Sequence, residues 1–175
     1  MEAVYRGADL PVSVLRPSRV HGPGNAHPRE QWVVDRVLAG QRTFRLPHAA
    51  GAGNHPTAAA NLAALVLLCA ERPAHRVLNS ADPGTPTAAE VVTAVAAATG
   101  VEVEVVDDDD GDADGDVSPW STWPPFFLDT RASRAVGYRP AGTHAQTVGA
   151  SVAELVERSR SRAPAPARHR ATGSP

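Results

Sequence analysis

The stretch SVLRPSRVHGPGN, residues Ser13 to Asn25, decides how this chain folds. An apolar run over Pro11 to Arg16 ends on Arg16-Pro17, and a glycine/proline turn follows within a few residues. A short, continuously apolar segment of this kind reads as a strand inside a parallel sheet. It empties into a loop at its carboxyl end, where open α/β sheets place their ligands. A ligand loop this close to the amino terminus raises the question of the fold that should come before it.

Working outward, REQWVVDRVLAG has helical spacing at Trp32, Val33, Val37 and Leu38, with Gly40 as its stop. QRTFRLP reads as a short strand. In HPTAAANLAALVLLCAERP, Pro56 and Thr57 are expected to open a helix that Pro73 closes. HRVLN is a second short strand. TPTAAEVVTAVAAATG begins with a capping box of Thr87 and Glu90 and ends at Gly100. VEVEVV alternates like a half-buried strand. DTRASRAVG fits a short helix capped by Asp129, and THAQTVGASVAELVERS a last helix with Thr143 and Gln146 as a second capping box. The pattern is α/β with few strands, so the sheet is expected to be incomplete, with exposed edges.

Composition limits the function. The chain has 175 residues, enough for one domain with a core, and a net charge of −2. That charge gives no global field favouring nucleic acid or a membrane surface. Cys69 is the only cysteine, which excludes an intramolecular disulfide and fits a reducing cytoplasm. The longest apolar run, LAALVLLCA, is too short to span a bilayer, and the amino terminus has no signal-peptide pattern. There is no lysine: all 17 basic residues are arginine, so no lysine can act as phosphate clamp or proton-relay partner.

Two segments stand apart. DDDDGDADGD carries seven aspartates between Asp107 and Asp116. It partly resembles a calcium loop, but glycine comes too early and no glutamate closes it, so residues 107–118 read as a solvated acidic loop. From Arg158 the sequence RSRSRAPAPARHRATGSP has no apolar periodicity and reads as a disordered tail over 158–175. The seven histidines show no metal-ligand spacing, and no metal site is expected from the sequence.

Four segments, in order, resemble one family. LPVSVLRPSRVHGPGN is similar to the strand and loop that follow the catalytic helix of the extended short-chain dehydrogenase/reductases of the NAD-dependent epimerase/dehydratase type. NHPTAAANLAALVLLCAERP is similar to that family's "hVDDLA" helix, with Ala60-Asn61 where an aspartate pair usually stands. RVLNSADPGTPTAAEVVTAVAAATG and PFFLDTRASRAVGYRPAGTHAQTVGASVAELVE are similar to its two closing segments. The resemblance covers residues 1–157 and implies the carboxyl-terminal portion of a Rossmann-type fold, with its small substrate-binding subdomain. It implies NAD or NADP as cofactor of the intact enzyme and a sugar nucleotide, or another carbonyl or hydroxyl compound, as small-molecule substrate.

The departures bear on activity. The family cradles the cofactor pyrophosphate on a G-x-x-G-x-x-G turn at a helix amino terminus. The glycine clusters here, Gly22 to Gly24 and Gly51 to Gly53, lack that spacing. The family's proton transfer uses a Y-x-x-x-K pair. The only tyrosines are Tyr5 and Tyr138, and neither has a lysine partner. Glu2-Ala3 match the residues that follow the family's lysine, so the chain is expected to start just after the catalytic pair, with a missing amino-terminal half as partner. No catalytic residue is expected within it, and the chain alone is expected neither to turn over substrate nor to bind the cofactor. The alternative is a non-catalytic binding or interaction module, or a gene remnant, derived from that family.

On the resemblance, Arg16, Pro17 and Ser18 would form the nicotinamide-side loop. Arg19, His21 and Asn25 would continue it towards the substrate, His21 standing where the family commonly has tyrosine. Arg45 reads either as a bidentate partner for a substrate phosphate or as a solvated surface arginine. Asn61 reads as a substrate hydrogen-bonding group or, preferably, as a residue that organises a helix start, and Asn79 likewise favours structure. Trp120 and Trp123 either line a pocket or pack.

Overall fold

The computed structural model describes residues 5, 9–51, 53–108 and 118–162. In chain order the elements are β1 (Ser13–Pro17), β2 (Arg19–His21), α1 (Gln31–Leu38), β3 (Thr43–Leu46), β4 (Pro56–Ala58), α2 (Ala59–Glu71), β5 (Arg76–Ser80), α3 (Ala88–Ala98), β6 (Glu104–Asp107), α4 (Arg131–Ala135) and α5 (His144–Arg162). The strands form three parallel pairs, β1 with β5, β2 with β4 and β3 with β6. Residue Ser13 faces Arg76, Arg19 faces Pro56 and Thr43 faces Glu104, so each pair starts in step. The α/β class and the incomplete sheet agree with the sequence.

Two hydrophobic clusters hold these pairs. The larger one gathers Val33, Val34 and Val37 of α1, Phe44 and Leu46 of β3, Val91, Val92 and Val95 of α3, and Val148, Val152 and Leu155 of α5, with Trp120. Their spacing of three or four residues puts each helix's apolar stripe inward. The capping box fixes where α3 begins: Glu90 N–H donates to Thr87 Oγ1 (3.1 Å), and Thr87 N–H donates to Glu90 Oε2 (2.8 Å). The smaller cluster is Leu65, Leu78 and Tyr138, with Leu15, Leu68 and the half-buried Cys69 packed against it. It lies between the β1–β5 pair and α2.

Four expectations need correction. Pro56 and Thr57 open no helix: they form β4, and α2 starts at Ala59. Thr57 is held extended because its hydroxyl donates to the Ser80 carbonyl (2.6 Å) while accepting from Ser18 N–H (3.1 Å). Residues Arg19 to His21 are a strand rather than loop, pairing with β4. That strand ends at Gly22, where φ is +146° and a Cβ would sit 2.8 Å from Ala59 Cβ, so only glycine lets the chain pass α2 so closely. Asp129 does not cap α4; Thr130 occupies that position, and the Asp129 carboxylate accepts from the Arg131 amide and guanidinium. That pairing holds the Asp129 carboxyl down to about 2. The capping box of α5 is half formed, since Gln146 Oε1 accepts from Thr143 N–H (2.9 Å) and the Thr143 hydroxyl points to the same oxygen.

The segment boundaries also shift. Asp107 belongs to β6, and its carboxylate accepts from Ala49 and Ala50 N–H. Residues 109–117 of the acidic loop lie outside the described residues, as do residues 163–175 of the tail. Helix α5 continues through residues 158–162, the start of the segment read as tail. Among the described residues, no helix is long and apolar enough to cross a membrane.

Candidate functional site

At its carboxyl end β1 adjoins the start of β2, and the end of β5 adjoins β4: Pro17 faces Ser80, Arg19 faces Pro56, and Asp82 N–H donates to the Pro56 carbonyl (2.7 Å). At this edge Arg16 and Pro17 are exposed, and Ser18 follows half-buried. Ser18 N–H is bonded to the Ser80 carbonyl (3.0 Å) as well as to Thr57. One threonine hydroxyl thus ties the first loop to the end of β5.

Arg19 turns inward from β2. Its guanidinium donates to Asn54 Oδ1 and to Thr122 Oγ1 (2.8 Å), while Asn54 Nδ2 donates to the Trp120 carbonyl (2.8 Å). Burial, with Arg29 nearby, lowers the Arg19 pKa. Arg19 therefore anchors the tryptophan-containing loop to β2. Trp120 is packed in the larger core, whereas Trp123 is exposed and stacks on His48, with ring centroids 4.7 Å apart.

His21 points into the interior at 1% exposure. Its Nε2 donates to Asp82 Oδ2 (2.8 Å). Asp82 Oδ1 accepts from Ala58 N–H (2.6 Å) and from Asn61 Nδ2 (2.6 Å). Asn61 also donates to the Gly142 carbonyl (2.8 Å), and its Oδ1 accepts from Ala141 and Gly142 N–H. The Tyr138 hydroxyl donates to the Asn61 carbonyl (3.0 Å), and burial raises its pKa. Asn61 is thus a fully bonded interior hub joining the start of α2 to the entrance of α5.

Asn25 stays in its own loop, donating to the Val20 carbonyl (3.0 Å) and accepting from His27 N–H (3.0 Å). Asn79 Nδ2 donates to the Asp129 carbonyl, fixing the segment before α4. Arg45 lies on the separate β3–β6 pair, exposed, with an ion pair to Asp108 at 3.1 Å. The structure therefore places Arg16, Pro17, Ser18, Arg19 and His21 in sequence along β1 and β2, with Asn61 joined to His21 through Asp82. It sets Arg45 on another sheet.

Sequence reading missed Glu30, His55, Asp82 and His144, all buried. His55 accepts at Nδ1 from Leu128 N–H (2.9 Å) and donates from Nε2 to the Asp82 carbonyl (3.1 Å); burial lowers its pKa. His144 packs against His21, with ring centroids 4.8 Å apart, and burial pulls its pKa down to about 4. Glu30 is 1% exposed, and burial raises its carboxyl pKa. Glu30 and His144 stand at helix starts, where a polar residue more often marks a cap, and His55 and Asp82 lie beside β4 and β5 with no local signal.

No family model matches the sequence, and no curated protein does. Solved structures do match. UDP-glucuronic acid 4-epimerase from Bacillus cereus, in complex with UDP-glucuronic acid and NAD, aligns at a TM-score of 0.65 and 13% identity, over 90% of this chain and 49% of that one. The enzyme WbmG of Bordetella bronchiseptica, in complex with NAD and UDP, aligns at 0.63 and 23% identity, over 90% and 47%. dTDP-glucose 4,6-dehydratase from Bacillus anthracis, in complex with NAD, aligns at 0.61 and 18% identity, over 92% and 49%. The fold is that of about half of such a Rossmann-type enzyme, and the chain spans about half the length of each.

Proposed function

We propose that this chain is the carboxyl-terminal, substrate-side half of an NAD(P)-dependent extended short-chain dehydrogenase/reductase, acting in the cytoplasm as a reductase, epimerase or dehydratase on a sugar nucleotide. The support is the alignment of nine-tenths of the chain with half of nucleotide-sugar epimerases and dehydratases. The four ordered sequence segments point the same way.

In this reading Arg16, Pro17 and Ser18 edge the nicotinamide side, with Arg16 and Pro17 at the surface. Arg19, His21, Asn25 and Asn61 shape the substrate side. Arg19 and Asn25 hold loops, while His21 and Asn61 act from the interior as positioning residues. Arg45, exposed beside Asp108, is the phosphate partner if the substrate reaches that far. NAD or NADP would dock mainly on an amino-terminal half, because the 175 residues contain no G-x-x-G-x-x-G turn and no lysine.

That half has an apolar place to sit. Parallel strands are normally covered on both faces, yet Val14 and Leu15 are half-buried, and Val66 and Leu67 of α2 are 48% and 63% exposed. The test is calorimetric titration of the purified chain with UDP, dTDP and NAD, alongside a turnover assay with UDP-sugars and NAD(P)H. Binding of a pyrimidine diphosphate without NAD binding or turnover is expected. Turnover, or NAD binding as tight as nucleotide binding, overturns the reading of an inactive half.

A further inference from the structure

Three buried side chains from separate parts of the chain come together, and each carries one polar atom that the fold does not use. His21 closes β2, Glu30 precedes α1 and His144 opens α5; they are 1%, 1% and 2% exposed. One donor atom from each lies within 4.8 Å of the other two. His21 Nδ1, Glu30 Oε2 and His144 Nε2 are each buried with no hydrogen-bond partner. An unpaired buried polar atom costs about 1–3 kcal/mol, so three adjoining residues that each carry one call for a ligand that satisfies them. Two imidazole nitrogens and a carboxylate oxygen are a donor set suited to zinc.

We propose that His21, Glu30 and His144 form a buried site for one divalent zinc-class cation. Three further features fit. His21 gives its Nε2–H to Asp82, which leaves the Nδ1 lone pair to the ion, and such a carboxylate–histidine pairing orients metal-bound imidazoles. Asp82 is itself held by Ala58 N–H and Asn61 Nδ2, so the support extends into α2. The two carboxylates, Glu30 and Asp82, balance the charge of a dication in an interior that would not tolerate it unpaired.

Tetrahedral zinc at ~2.0–2.1 Å from each donor needs donors ~3.3 Å apart. The widest present spacing must therefore close by about 1.5 Å, within reach of side-chain rotation. Of the three residues His144 also lines a groove of about 720 Å³ between the starts of α3 and α5, with Thr85, Glu90, Thr93 and Thr143. A water would complete the coordination. The site shares His21 with the substrate side proposed above, but its test needs neither cofactor nor substrate.

The test is a titration of the full chain, made without a histidine tag and stripped by chelator, with Co²⁺ and then Zn²⁺. One ion per chain is expected, with the ligand-field bands of four-coordinate cobalt, displacement by zinc and a raised Tm. Glu30→Gln and His144→Asn should each weaken binding at least ~100-fold, and Asp82→Asn ~10–100-fold. His27→Asn, at an exposed histidine, should change nothing. Circular dichroism checks that the variants fold. Should they not, X-ray absorption of the zinc-loaded parent chain decides, since it must show two imidazoles in the zinc shell. Weak binding that Glu30→Gln and His144→Asn leave unchanged, a shell without two imidazoles, or no binding at all overturns the proposal.

Discussion

The two hydrophobic clusters differ in kind. The larger joins three helices, β3 and Trp120 through fifteen buried side chains among the described residues. The smaller has three, beneath a two-stranded parallel sheet. A core of the first kind can carry a fold by itself. A two-stranded sheet normally needs more strands or a covering layer. The contrast teaches that the helical side buries most of its apolar stripes, while the β1–β5 side leaves Val14 and Leu15 half-buried and Val66 and Leu67 exposed.

The sharpest way to break this contrast is at Phe44, wholly buried in the larger cluster. Phe44→Ala should cost about 3–5 kcal/mol in urea unfolding. A loss as small as that from the smaller cluster would mean that the helical side carries no more than its share.

Acid tests the same side through His144. Its native pKa of about 4 lies below the 6.5 of an ordinary imidazole, so the unfolded chain protonates first. Stability is then full above pH 6.5 and falls as pH drops towards 4, by up to about 3 kcal/mol. Glu30 opposes this. Its raised carboxyl pKa makes the native state hold a proton that the unfolded chain releases, which favours the fold at lower pH. In chelator, His144→Asn should flatten the loss and Glu30→Gln should steepen it, read from urea midpoints between about pH 7.5 and about pH 4.5.

Leu78→Ala in the smaller cluster should cost about 2 kcal/mol, the low end for such truncations, because its surroundings are thin and can collapse. Hydrogen exchange should show β1 and β5 opening at lower free energy than α3. Equal protection of both would erase the distinction. Leu67→Gln should shift stability by no more than about 0.5 kcal/mol in the chain alone, since Leu67 is mostly exposed. A clear loss of stability would show that α2 is already covered.

Local signals carried much of this fold. The Thr87/Glu90 box and the stop at Gly100 bound α3 because both act within a few residues. β4 was illegible because Pro56-Thr57 has good helix-start chemistry, and the competing bonds to Ser18 and Ser80 come from distant strands. The interior role of Asn61 was foreseeable from its place at a helix start. The meeting of His21, Glu30 and His144 was not, since their spacing matches no local ligand pattern and only the pairing of β2 with β4 and the docking of α5 unite them.

Cys69 gives the thinner side its own clock. It is the chain's sole thiol, half-buried on α2 against the smaller cluster. Its rate of reaction with a soluble disulfide therefore times the opening of that cluster alone, without a label or a mutation, and would slow in step with any protein that settles over it.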